Sequence, residues 1–210
     1  MIKDKTDSFL DTAAKIISAL FNPLLMSLYG MIIILSAPTL FVYLPFTVKR
    51  IILVIVLINN VLIPLSLMPY YRYRNIISSW DIEERKERYI PLILTSIFYS
   101  VTSIIVFRFQ IPLFLKSFLF AVSLLAVIVT LINFFWKISI HSTGAGALTA
   151  LVLILAVKMY SPLTWYLISV LLTGGLVLAS RLRLNSHNPL QVWLGFLTGF
   201  LGLAIFMLFL

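Results

Sequence analysis

"PLFLKSFLFAVSLLAVIVTLINFFWKISIHSTGAGALTALVLILAVKMY", residues 112–160, decides the fold. Two apolar runs, 112–136 and 142–160, are parted by the short polar junction "KISIH". Each is close to the ~20 residues a helix needs to cross a ~30 Å hydrocarbon layer. Neither has a polar face, so both suit an apolar surrounding on every side. Outward from this pair the pattern repeats, with runs at 23–45, 51–69 and 89–107 before it and at 162–180 and 189–210 after it. The fold class is therefore all-α, a polytopic transmembrane helical bundle of six to seven spans, with residues 1–210 as one integral membrane domain. The count turns on the first run, which Pro23, Pro38 and Pro45 interrupt.

Composition agrees. The chain is 61% hydrophobic and 11% charged, with a mean hydropathy of +1.09, outside the range of soluble domains. It contains no cysteine, which excludes disulfides, thiolate metal sites and cysteine nucleophiles. The first residues, "MIKDKTDSFLDTAAKIISAL", mix acids and bases and lack the apolar core of a signal peptide; residues 1–22 are read as a retained amphipathic segment leading into the bundle. A net charge of +9 would suggest nucleic acid in a soluble protein. Here the bases flank apolar runs, where positive-inside bias and anionic headgroups account for them. Membrane lipids are the expected surroundings and nucleic acid is not an expected partner.

Small residues suggest where backbones meet. "GAGALTA" at 144–150, "TGG" at 173–175 and the pair Gly195 and Gly199 predict the tightest packing among the last three spans. The one long polar connection, 70–88, holds four of the seven acids, and Asp4, Asp7 and Asp11 hold the rest. No span carries a carboxylate, which argues against carboxylate proton relays and buried cation sites. No metal site or cofactor is expected.

Parity of crossings puts loop 70–88, the 137–141 junction and the 181–188 loop on one side of the membrane. Together they hold Arg85, Lys86, Arg88, Lys137, His141, Arg181, Arg183 and His187. His141 lies at the start of a span, with Ser139, Ser142 and Thr143 as candidate caps. "HNPLQ" reads as a helix start with Asn188 at the N-cap, Pro189 next and Gln191 at the third position. Helix N-termini offer free N–H groups and a positive dipole end to anions. Arg181 and His187 can converge only if the chain turns through "LNSHNP", as Asn185, Ser186 and Pro189 permit. Guanidinium and ammonium groups, two helix starts and two histidines suit a phosphate-bearing lipid. One histidine can attack phosphorus while the other protonates the leaving oxygen. The basic residues snorkelling at span ends, the run "DIEERKER" as a solvated helix start and the tyrosines and tryptophans as an interfacial belt account for the remaining polar groups, with Arg88 as the exception to the solvated run.

These motifs bring a family into view. "SRLRLNSH" (180–187) is similar to the third signature of the type 2 phosphatidic acid phosphatase superfamily, in which Ser-Arg is followed by five residues and a histidine. "SIHSTG" (139–144) resembles its second, Pro-Ser-Gly-His. The resemblance covers roughly the C-terminal half, a 137–210 core. It implies that His187 is a nucleophile forming a phosphohistidine, that Arg181 holds phosphate oxygens, and that His141 protonates the departing group without a metal. Gln191 stands where the family usually has an orienting aspartate, and Ile138 and Ile140 replace the proline and glycine of the second motif. The first signature, a lysine followed by Arg-Pro, has no direct counterpart; Lys86, Arg88 and Lys137 are candidate substitutes for phosphate binding, with Ser139 as an orienting residue.

Three functions follow as expectations. The first is an integral membrane phosphatase acting on a lipid phosphate or diphosphate in the bacterial inner membrane. The second is a catalytically inactive lipid-phosphate binding or carrier protein, which the missing aspartate suggests. The third, an intramembrane prenyltransferase, lacks the second acidic cluster that would hold magnesium on a diphosphate. If all seven runs cross, the site shares its side with the N-terminal tail and eleven of the sixteen bases, a cytoplasmic distribution. If the first run re-enters, the bases divide evenly and the site can face outward, as the family resemblance implies.

Overall fold

The structure is a computed structural model, and it describes residues 5–80, 82 and 84–209. Asp4 of the N-terminal tail and Asp81 and Glu83 of "DIEERKER" lie outside the described residues. Among those described, the ordered elements are all helical. They are α1 (Lys5–Leu20), α2 (Pro23–Ser36), α3 (Phe46–Val56), α4 (Ile63–Tyr73), α5 (Tyr89–Phe107), α6 (Leu113–Phe135), α7 (Ile140–Lys158), α8 (Thr164–Arg183) and α9 (Pro189–Phe209). Six unbroken helical stretches are long and apolar enough to span a membrane: 46–73, 86–107, 113–135, 140–158, 164–183 and 189–209. The protein is an all-α membrane bundle.

The first run departs from expectation. Instead of one helix over 23–45, α2 ends after 14 residues, about 21 Å at ~1.5 Å per residue, and a short 3₁₀ turn follows at Leu40–Tyr43. A proline disfavours the helical region for the residue before it. Ala37, before Pro38, has ψ 148°, and Leu44, before Pro45, has ψ 142°. α1 and α2 meet at a 62° bend and together could form a seventh, broken span.

The ends of α2 nonetheless lie at opposite ends of the bundle. Just before it, Ser18 accepts a bond from Arg181 Nη1 at the end of α8 (3.3 Å). Just after it, the Pro38 carbonyl accepts from Ser161 Oγ in the α7–α8 loop (2.8 Å). The bases at this second end turn back onto helix-end carbonyls, Lys116 on Phe107 O (3.2 Å) and Lys158 on Met207 O (2.6 Å). Such snorkelling satisfies carbonyls that the helix itself leaves open.

α3 and α4 form one continuous span, joined by a π-helical stretch, Leu57–Leu62. Pro64 has no N–H to return to the carbonyl four residues earlier, and the chain widens just ahead of it, with Ile63 N bonding Ile58 O. The bulge turns Asn60 into the interior, where it donates to Ser27 Oγ of α2 (3.3 Å) and accepts from Thr102 Oγ1 of α5 (2.6 Å). A satisfied polar cluster in a low-dielectric setting fixes which helices pair. The span runs on to Tyr73, so the polar connection expected over 70–88 begins later.

The glycine expectation holds for α7 and α9 but not for α8. A Cβ on Gly199 would lie 1.8 Å from Thr143 O, and one on Gly146 would lie 2.0 Å from Phe196 O. Gly195 similarly faces Ser139 O, at 2.6 Å. Gly175 of "TGG" has nothing within 4 Å, and Gly174 only ordinary contacts. α7 is accordingly the central helix, with Leu151, Val152 and Leu155 fully buried.

Candidate functional site

At the α1 end of the bundle, three chain segments come together as their parity requires. The α9 start is built by its own sequence. Asn188 Oδ1 accepts from Gln191 N (2.9 Å), and Gln191 Oε1 accepts from Asn188 N (3.3 Å), a reciprocal capping box. Asn185, in the left-handed region at φ 52°, reverses the chain between Arg183 and this cap. His187 is thereby placed one residue outside the first turn of α9.

The same box settles the histidine tautomer. A backbone N–H can only donate, so the Gln191 atom facing Asn188 N is the carbonyl oxygen. That oxygen also lies 2.9 Å from His187 Nδ1, which must therefore carry the proton and donate it. Nε2 is left as the lone-pair nitrogen. Gln191 thus caps and orients at once, in the place where a carboxylate was the family expectation.

His141 is the second residue of α7, whose N-cap is Ser139. Ser139 is completely buried: its Oγ meets Ser142 Oγ (2.8 Å), and its N–H donates to Gln191 O (3.3 Å). Its bonds act on the backbone, fastening the start of α7 to that of α9. Trp136 packs against the cluster of Leu125, Val129 and Ile138 and is not among the residues lining the cavity.

Arg88, His141, Arg181 and His187 line one cavity of about 580 Å³, within the ~300–1,000 Å³ usual for a ligand site. Both arginines are buried, Arg88 at 5% and Arg181 at 4% exposure. Arg88 Nε donates to Ile82 O (2.8 Å) and Nη1 to Ile138 O (3.3 Å), bridging the first loop to the second. Lys137 lies close enough for its charge to act on His187. Lys86 does not join the group: it is exposed and lines no part of the cavity. Its neighbour Arg85 donates to Phe134 O (2.7 Å), tying the loop to α6. Tyr71, expected in the interfacial belt, is buried and lines the cavity with Trp80.

Sequence reading missed what α1 adds. Lys15 and Ser18 line the same cavity; Ser18 Oγ meets Arg181, and its backbone faces His141. Arg183, expected as a simple anchor, pairs with Asp7 (2.6 Å) and Asp11 (2.9 Å) on α1. Arg181 and Arg183 therefore grip α1 from within and from without. The partners are 163 residues apart in sequence, and nothing local to Ser18 signals the contact.

Among the described residues the charge balance is one-sided, since none of those lining the cavity is a carboxylate. Burial, followed by the nearby Arg88, pushes His187 down from its ordinary 6.5 to about 3, with Arg181 and Lys137 adding to the shift and the Gln191 bond opposing it. A neutral imidazole between guanidinium groups can act as a nucleophile, and the guanidiniums can take an oxyanion. Because the folded value is depressed, the neutral form is favoured by the fold; that stability is complete above pH 6.5 and is lost as pH falls toward 3. The His187 ring should therefore stay neutral as pH falls through 6.5, which the pH dependence of its imidazole NMR shifts checks. Gln191→Asp should raise the His187 value by placing an anion on Nδ1, moving that titration toward neutrality.

Among the described residues, no three His, Cys, Asp or Glu side chains gather as metal ligands. Comparison with known protein families, curated proteins and solved structures finds no match to the chain.

Proposed function

We propose that this protein is an integral membrane phosphatase that hydrolyses a lipid phosphate or diphosphate through a phosphohistidine. The observation that carries this reading is a single cavity joining a neutral, oriented His187 and buried Arg88 and Arg181 to an apolar interior. The resemblance of "SRLRLNSH" and "SIHSTG" to the phosphatidic acid phosphatase motifs supports it.

In the first step the His187 Nε2 lone pair attacks phosphorus, and the bond to the lipid oxygen, or to the inner phosphate of a diphosphate, breaks. Arg88 and Arg181 take the charge gathering on the peripheral oxygens. His141 enters this step as the imidazolium and gives its proton to the leaving oxygen. In the second step water attacks the phosphohistidine and loses a proton to His141. Phosphate leaves and His187 returns to its neutral form. Release of inorganic phosphate by purified protein from a panel of lipid mono- and diphosphates tests the assignment. Release from one class supports it, and none from any class overturns it.

One feature favours a second reading, a lipid-phosphate binder or carrier without turnover. Gln191 orients His187 but brings no negative charge to stabilise an imidazolium. Lipid phosphate binding with no phosphate release would select this alternative.

The same geometry bears on orientation. α1 and the three site loops with their adjoining helix ends occupy one end of the bundle, and among the described residues they carry ten Lys and Arg residues against five at the other end. Positive-inside bias then sets the site at the cytoplasmic face, which we take to be that of a bacterial inner membrane. The natural absence of cysteine makes a single introduced thiol unique. Arg74→Cys should react with an impermeant maleimide only in inverted vesicles, and Tyr160→Cys only in intact cells. The opposite pattern would turn the site outward, as the family resemblance implies.

A further inference from the structure

The cavity does not stop at the charged end. On α6 its lining residues are Val129, Ala126, Leu125, Val122 and Phe118, one face of the helix descending from the site. From Val129 to Phe118 is eleven residues, about 16 Å at ~1.5 Å per residue, roughly half of a ~30 Å hydrocarbon core. On α5 the lining ends at Tyr99, eleven residues beyond Arg88, and on α7 it ends at Leu148.

Phe118 forms the floor. It is 2% exposed, and its ring crosses the bundle from α6 to the backbone of α2 at Gly30. A Cβ on Gly30 would lie 2.4 Å from Phe118 Cζ and 3.1 Å from Leu151 Cδ2. The absence of a side chain there gives the ring its place. Gly30 is one turn deeper on α2 than Ser27, the last α2 residue lining the cavity. The Ser27–Asn60–Thr102 bonds fasten α2 to the neighbouring helices at this level, so the floor rests on a braced helix. The polar groups beside it bond one another.

We infer that Phe118, seated over Gly30, sets the length of the apolar chain that the cavity accepts beneath a phosphate headgroup. This rests on the headgroup reading proposed above and adds the dimension of the lipid. A chain entering from the arginine end finds walls that are mainly apolar, with the α5 side chains Thr95, Ser96 and Tyr99 among them, as far as the ring; a longer one must displace it. The ring's flexible side chain can be shortened, or pushed upward, without touching the charged end.

The test is binding rather than turnover, so that loss of catalysis cannot hide the result. Full-length protein in nanodiscs is titrated with non-hydrolysable n-alkyl phosphonates from hexyl to octadecyl. Lengths are compared at equal mole fraction in the lipid, so that the shared gain on leaving water drops out. Affinity should rise with chain length, pass an optimum and fall by about five- to a hundredfold for chains that overpack the floor. Phe118→Ala should move the optimum to longer chains, and Gly30→Ala, by driving the ring into the cavity, to shorter ones. The double variant should recover long-chain binding, which a fold damaged by Gly30→Ala alone would not do. An optimum that neither variant moves, or affinity level across the series, overturns this inference and leaves the headgroup site standing. No binding at any length overturns both.

Discussion

Replacing His187 with alanine is expected to lower phosphate release by on the order of 10³-fold or more, with the lipid phosphate still bound. In the proposed mechanism His187 makes the covalent bond to phosphorus, and no second residue has the same setting. Its Nδ1 is held by Gln191 Oε1 at 2.9 Å, which leaves Nε2 free to react. His141 sits in the first turn of α7 and bonds the Ser18 backbone rather than Gln191; in the proposed mechanism it serves the leaving oxygen, not phosphorus. Arg88 and Arg181 remain after the substitution, so KM should change far less than kcat. Rapid quenching with radiolabelled substrate adds a sharper reading. The acid-labile, alkali-stable label of a phosphohistidine should form in the parent protein and vanish in His187→Ala. His141→Ala separates the roles further, because an activated leaving group needs no proton and should restore much of the first step. Full turnover in His187→Ala would remove the mechanism.

The same residues show what one chain can reveal of its own fold. The four C-terminal helices were legible because their ends carry local signals: Ser139 as a cap, Asn188 and Gln191 as a reciprocal pair, Pro189 at a first turn. The first run misled because hydropathy continues through Pro38 and Pro45 although the backbone before each is extended. Composition reports what a segment can dissolve in, and proline reports what shape it can take. Small residues were informative only with a neighbour present: "TGG" matches the close-packing pattern, yet Gly175 meets nothing. At the site, the order of Arg181, His187 and His141 was readable from motif spacing and crossing parity. Arg88, nearest the membrane in its charged run, could be told from its solvated neighbours, whereas the parts supplied by α1 and the burial of Tyr71 depend on tertiary packing between distant segments and leave no local mark.

The largest effect on stability should come from Gly199→Ala. Its Cβ would stand 1.8 Å from Thr143 O, 2.7 Å from Thr143 C and 2.9 Å from Thr143 Cα. All three are backbone atoms in a helix, so no side-chain rotation relieves the clash; α7 and α9 must move apart. Overpacking of this kind costs about 1–3 kcal/mol, and here the damage should reach the site. Gly195, one turn nearer the loop on α9, lies against Ser139 O, and Ser139 N donates to Gln191 O. Separation of the two helices would therefore loosen the Gln191 cap that orients His187. Gly175→Ala is the matched control. With open space around it it gains helix propensity of up to about 1 kcal/mol without a clash. Thermal unfolding of the purified variants should give a lower Tm for Gly199→Ala and an unchanged or higher one for Gly175→Ala, with lipid phosphate binding weakened only in the first. Equal behaviour of the two would mean that the α7–α9 contact is not what holds the site together.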